Sequence, residues 1–325
     1  MRAVQFDKWG PPSVLHLRTD YPKPTCAVGE VLIRIHAASI NPADIAIRSG
    51  GFFPLLAKKP KVLGCDFAGV VEDAKRSAKF KPGDKVIAMT NGGNCRNTTG
   101  AYAEYIALPA DDVAMMPPNL SFEEAAGVPL TALTAWQALD KVKLESGQRL
   151  LVQAGSGGVG SWIVQLAKIQ GLHVTATCST PSVTFVKQEL GADVVIDYTQ
   201  QSLLDACKGA RFDGVIDCVG GKAESESYAC LRRRGTFVEI LNPGMSTATL
   251  ISHLFRSMVG LGPRYDVVFA APNGAQLQKV ADLLTSGKAK AHVDQVFPLS
   301  EATKATEYFE SRKGGRGKVV LKIQD

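Results

Sequence analysis

At 325 residues the chain is longer than one hydrophobic core commonly serves, which predicts two domains. Hydrophobic residues make up 45% and charged residues 21%, and no apolar run reaches about eighteen residues, so a membrane-spanning chain is excluded and a soluble globular one expected. The net charge of +6 is scattered, its longest basic run being 232–234, and without a basic stripe or interleaved aromatics a nucleic-acid partner is excluded as well.

Residues 1–10 alternate like a first strand and carry neither a secretory apolar segment nor an Arg- and Ser-rich amphipathic helix. Up to about residue 120 the text is strand-like and cut by turn formers. Gly10-Pro11-Pro12 is one such cut; strands are expected over 30–40, 65–73 and 81–89, the last with a tight turn at Pro82-Gly83-Asp84. This part reads as a β-rich barrel domain.

At Ser121 the character changes. Ser121 and Glu124 have capping-box spacing, and 131–142 has helical spacing. Strands and helices then alternate: strand 150–153, helix 158–170, strand 173–178, helix 183–190, and strands 194–196, 214–219 and 236–241, with a helix over 226–232 before the last. Such alternation predicts an α/β domain with a doubly wound parallel sheet. The tail predicts helices over 275–286 and 300–310 and a strand over 316–325, which either extends the sheet or returns to the β-rich domain.

The most informative stretch is 148–171. The apolar run Leu150, Leu151, Val152 enters a turn made of Gly155, Ser156, Gly157, Gly158, Val159 and Gly160, which opens directly into an amphipathic helix. Unpaired amides and the positive end of the helix dipole converge at such a turn, and glycines admit an anion where a Cβ would stand. A dinucleotide pyrophosphate fits it, although close packing alone also selects glycine there. An NAD site would place an acid at the end of the second strand to hold the adenosine ribose. That strand ends Thr177-Cys178-Ser179-Thr180, an uncharged hydroxyl corner with room for a 2′-phosphate, so NADPH is favoured.

The seven cysteines are odd in number, and none forms a CxxC pair. Neither a disulfide framework nor a zinc ribbon is indicated, and a reducing, cytoplasmic setting is expected.

In their order and spacing, NPADIAIRSG at 41–50, GCDFAGVV at 64–71, FKPGDKV at 80–86, GAYAEY at 100–105, PLTALTAW at 129–136, AGSGGVGS at 154–161 and FDGVIDCVGG at 212–221 span nearly the whole chain. The chain thereby resembles the medium-chain dehydrogenase/reductase superfamily, and within it the zinc-free quinone and enone reductases. The resemblance implies a GroES-like β-barrel domain over 1–120, a Rossmann NADP-binding domain over 121–265 and a return to the first domain over 266–325. It also implies a cofactor in the interdomain cleft and a homodimer paired through a sheet edge.

Alcohol dehydrogenases of the superfamily bind catalytic zinc through two cysteines and a histidine; the matching positions here are Asn41, Cys65 and Leu130. One thiol does not hold zinc, which takes about three protein donors, so no metal is expected. Cys95 stands alone where a structural zinc lobe would need four cysteines.

The resemblance assigns the 2′-phosphate to Ser179, Tyr198 and Arg316, with Thr180 in the same corner. Lys187 is either a further basic contact or a solvated helix residue. Thr134 matches a threonine at the nicotinamide half, Val219 and Leu241 end strands that face the dinucleotide, and Arg264 and Tyr265 are expected in a loop closing over it. Reduction of an enone by hydride leaves an enolate. Asn41 either donates to that oxyanion or is a turn residue before Pro42. Asp44 ties down the loop, with Arg48 as its expected partner. The tyrosine found two residues further on in some relatives is Ala46 here, so protonation from solvent or a ribose hydroxyl is expected. Phe52, Phe53 and Leu55 offer an apolar wall. The reading is an NADPH-dependent reductase of small quinones or α,β-unsaturated carbonyl compounds; the alternatives are a non-catalytic nucleotide-binding or redox-responsive protein and a zinc dehydrogenase.

Overall fold

The computed structural model describes residues 1–51, 59, 61–74, 77, 79–90, 100–207, 209–240, 247–258, 262–312 and 315–324. The chain divides into two units, one of Met1–Leu133, Ala271–Lys313 and Gly317–Asp325, the other of Thr134–Ala270 and Gly314–Arg316.

The first unit carries a seven-stranded sheet in the order Val293–Pro298, Lys318–Lys322, Glu30–Ser39, Asp66–Asp73, Lys85–Met89 and Val113–Met115, with Tyr105–Pro109 also paired to Glu30–Ser39. A three-stranded sheet of His16–Arg18, Ala3–Phe6 and Lys61–Val62 accompanies it. Phe6, Ile33, Ile35 and Phe67 are fully buried in the core of this unit. The closing strand pairs antiparallel with Glu30–Ser39, so the tail returns to this unit.

The unit's first segment runs to Leu133 rather than stopping near residue 120. The helix Phe122–Ala126 starts at the expected capping box, Ser121 N donating to Glu124 Oε2 at 2.8 Å and Glu124 N to Ser121 Oγ at 3.2 Å. Phe122 then stacks on His36 of the Glu30–Ser39 strand with ring centroids 4.2 Å apart, which ties the helix to the barrel.

The second unit holds a six-stranded parallel sheet in the order Val194–Asp197, His173–Cys178, Arg149–Val152, Phe212–Asp217, Leu231–Ile240 and Arg264–Val268. Numbered along the chain this is 3-2-1-4-5-6, the order of a dinucleotide-binding sheet. Leu150, Leu151 and Val152 are wholly buried, as a strand covered on both faces requires.

Several elements differ from the sequence reading. The segment after Asn41 is a helix, Pro42–Ser49, with proline at its first turn and Asn41 as its N-cap. The expected helix over 226–232 is Lys222–Ala229, because Leu231 pairs with Phe212 and already belongs to the sheet. The helix over 183–190 is the single wide turn Phe185–Glu189, closed by Leu190 N donating to Phe185 O. Arg264 and Tyr265 begin the edge strand rather than a loop. Leu241, Phe52, Phe53, Leu55 and Cys95 lie outside the described residues.

Candidate functional site

In the second unit the first strand runs into a bend at Ala154, whose φ of 53° is left-handed. Thr177 of the neighbouring strand pins it, accepting from Ala154 N at its hydroxyl (3.1 Å) and from Gly155 N at its carbonyl (2.7 Å). The helix Gly158–Ile169 follows with Gly157 as its N-cap.

The glycines of this turn answer to different demands. A Cβ at Gly160 would lie 2.1 Å from Ala154 O and one at Gly155 would lie 2.8 Å from Ala176 Cβ, so packing alone excludes a side chain at both. At Gly157 the one contact is Ala154 O at 3.3 Å, and the backbone there is extended and open to any residue. Packing therefore leaves Gly157 nearly unexplained. Among the described residues no protein acceptor engages the amides of Gly158, Val159 or Gly160. A turn with free amides at a helix N-terminus and an open face fits a pyrophosphate.

The end of the second strand gathers the residues read as a phosphate corner. Tyr198 N donates to Cys178 O at 3.1 Å, which sets Tyr198, 57% exposed, beside Ser179 and Thr180. Arg316 belongs to this unit, its guanidinium 5.8 Å from the Phe185 ring. Burial pushes the Cys178 thiol up to about 11, with Asp197 raising it further and Arg316 opposing. The corner is not uncharged, since Asp197 at the tip of the third strand pairs in register with Cys178 and accepts from Thr180 Oγ1 at 2.5 Å. Sequence reasoning missed it because the search for an acid stopped at the second strand. Lys187 is turned away, donating to Asp193 O.

The remaining cofactor candidates are spread along the unit. Thr134 is buried in the helix Pro129–Val142. Val219 is 46% exposed just past its strand, its amide donating to Asp217 Oδ1 at 2.8 Å. Tyr265 closes over nothing: it is buried, stacked on Phe237 at 5.3 Å, and its hydroxyl donates to Glu239 and, at 3.4 Å, to Glu224. Burial lifts the Glu239 carboxyl to about 7.

In the first unit Asn41 is fully buried. Its Nδ2 donates to Asp66 Oδ1 at 2.9 Å and to Ser39 O at 3.2 Å, and its Oδ1 accepts from Lys318 Nζ. Both amide hydrogens are thus committed within the protein, which corrects the expectation that Asn41 donates to an oxyanion. Lys318 Nζ also donates to Ile40 O at 2.8 Å, and Asp66 accepts from Ser39 Oγ at 2.6 Å and from Leu130 N at 3.3 Å. Burial lowers the lysine's pKa and raises that of Asp66, each opposed by the other's charge.

Asp44 accepts from Asn41 N (2.9 Å), Gly64 N (3.0 Å), Tyr102 Oη (3.2 Å) and Cys65 Sγ (3.3 Å). Burial, with Asp66 adding, lifts it to about 6. Arg48 is not its partner; that guanidinium binds Glu310 and Gly10 O. The Cys65 thiol is pushed well up by burial and two nearby carboxylates. Among the described residues no group of three His, Cys, Asp or Glu is placed to hold a metal ion. Sequence reasoning missed Lys318 and Asp66; their one signal was a charge inside an apolar strand run.

Comparison with known proteins accords with this architecture. The family profile "Alcohol dehydrogenase GroES-like domain" matches residues 27–118, and "Zinc-binding dehydrogenase" matches 190–321. A probable zinc-binding oxidoreductase, mitochondrial, of Arthroderma benhamiae is 36% identical across 99% of this chain and 96% of its own. The quinone oxidoreductase of Coxiella burnetii superposes with a TM-score of 0.89 at 34% identity, covering 100% of this chain and 99% of that one. Escherichia coli quinone oxidoreductase complexed with NADPH gives 0.85 at 29% identity, covering 99% and 100%. The chain belongs to the medium-chain dehydrogenase/reductase superfamily, in its quinone-oxidoreductase-like branch, and its two units are the GroES-like and Rossmann folds of that family.

Proposed function

We propose that this oxidoreductase takes hydride from NADPH and delivers it to small quinones or α,β-unsaturated carbonyl compounds without a catalytic metal. The observation that carries the reading is the glycine turn at the head of a 3-2-1-4-5-6 sheet, with Gly157 open and three first-turn amides unengaged. Bound there, the nicotinamide coenzyme supplies the hydride. The amides of Gly158, Val159 and Gly160 hold its pyrophosphate, and Ser179, Thr180, Tyr198 and Arg316 surround its adenosine end. Thr134 is assigned to its nicotinamide half, and the resemblance sets Val219 and Leu241 at strand ends facing the dinucleotide.

The donor set argues against zinc chemistry. At the positions where zinc-bearing relatives carry ligands, Leu130 has no donor side chain, Asn41 is hydrogen-bonded to a lysine, and the Cys65 thiol is bonded to Asp44. Asn41, Asp44, Asp66 and Lys318 serve as positioning residues for the first unit. No side chain is assigned as the acid for the product enolate, so its proton comes from solvent or a ribose hydroxyl.

Steady-state oxidation of NADPH and NADH with a panel of quinones and enals tests the reading. Turnover with at least one acceptor class supports it; tight coenzyme binding without turnover on any acceptor leaves the non-catalytic alternative standing. The same proposal includes a homodimer through the Arg264–Val268 edge, where Phe269 and Ile251 are exposed, tested by sedimentation. It also includes a cytoplasmic location, tested by fractionation. Among the described residues no helix is long and apolar enough to cross a membrane.

A further inference from the structure

The Asp197 carboxylate occupies a fixed position. Its Oδ2 accepts from Thr180 Oγ1 at 2.5 Å, and its Oδ1 accepts from Thr199 N at 2.9 Å and Thr199 Oγ1 at 2.7 Å. Thr180 and Thr199 hydroxyls lie 2.8 Å apart, which closes the group into one cluster. Register with Cys178 and the amide bond from Tyr198 place this cluster directly beside the Ser179 corner. Its hydrogen bonds hold Asp197 below the usual carboxylate range, so it is anionic at neutral pH. Arg316, over the Phe185 ring, brings the opposite charge near Cys178, whose thiol responds to both groups.

We propose that Asp197 sets the strength of the coenzyme preference, its fixed negative charge opposing the 2′-phosphate that Arg316 attracts, so that the chain accepts NADH as well as NADPH. This rests on the coenzyme site assigned above and deepens it. Ser179 and Thr180 leave steric room for a phosphate, and the balance between Asp197 and Arg316 decides how favourable that phosphate is. Arg316 is exposed and Asp197 half-buried, so the balance weakens in salt.

The test is binding rather than turnover. Calorimetric titration with adenosine 2′,5′-bisphosphate and with 5′-AMP reports on the phosphate and on the rest of the nucleotide separately. Asp197→Asn, whose carboxamide still accepts from Thr180, is expected to tighten the bisphosphate roughly 3- to 10-fold and leave 5′-AMP unchanged, with the gain shrinking in about 0.5 M salt. Arg316→Gln is expected to weaken the bisphosphate about tenfold, again without effect on 5′-AMP. Parallel changes for both ligands would mean that Asp197 only supports the turn, and weaker 5′-AMP binding in Asp197→Asn would mean that the carboxylate holds the ribose; either result overturns the inference. Failure of the unmodified chain to bind either nucleotide or either coenzyme would overturn the site itself, a separable outcome.

Discussion

The ammonium of Lys318 and the carboxamide of Asn41, 277 positions apart in sequence, are joined by a buried hydrogen bond. On its other side the same carboxamide donates to Asp66 Oδ1, so Asn41 stands as a neutral bridge between a buried cation and a buried anion. Each charge is tolerable out of water because the other is near and both are hydrogen-bonded within the protein.

Removing the cation should therefore be costly. Lys318→Met leaves Asp66 as an uncompensated buried carboxylate and is expected to lower unfolding stability by about 3–5 kcal/mol. Chemical denaturation of the variant checks this, and a loss below about 1 kcal/mol would show that the network is not load-sharing in this way.

The glycine turn offers a contrast between two substitutions. Gly157→Val meets one backbone oxygen at 3.3 Å and should keep the fold while reducing coenzyme affinity about 100-fold or more, read by fluorescence titration. Gly160→Ala drives a Cβ against Ala154 O and should lower thermal stability instead. Near-normal affinity in the valine variant would remove the pyrophosphate from this turn.

Stability should fall with rising pH as buried carboxyls give up their protons, Asp44 first and Glu239 at higher pH. Glu239 is fully buried, and burial holds its carboxyl at about 7 against 4.5 ordinarily. Between these values the folded chain holds a proton that the unfolded chain has released, so this group's stabilisation is complete at low pH and lost as pH rises through about 7. The loss is roughly 3 kcal/mol. Glu239→Gln mimics the protonated acid and should flatten that slope in urea unfolding measured from about pH 5 to about pH 8.

Metal removal should be silent. Dialysis against a chelator is expected to leave turnover with quinones within about 20% of the untreated value, because the residues around Cys65 are bonded to one another rather than free to coordinate. A large loss restored by zinc would reinstate the dehydrogenase reading.

What was legible in the sequence was local. The glycine turn, the capping box at Ser121 and the strand-helix alternation after it are written in period and punctuation over a few residues. The Pro42–Ser49 helix was also signposted, by Asn before Pro, but the same pair begins ordinary turns. The edge strand Arg264–Val268 lacks a continuous apolar run and gave no strand signal. Lys318, Asp66 and Asp197 escaped notice for a different reason: each gains its role from a partner that sequence does not place beside it.

The closing strand, whose Val319, Val320 and Leu321 are completely buried, is hydrogen-bonded into a sheet begun by residues 30–39. During synthesis the first lobe must then wait, open-edged, until residues 318–322 have been made, while the continuous stretch 134–270 is finished beforehand. The order in which the lobes mature is the reverse of the order in which they begin.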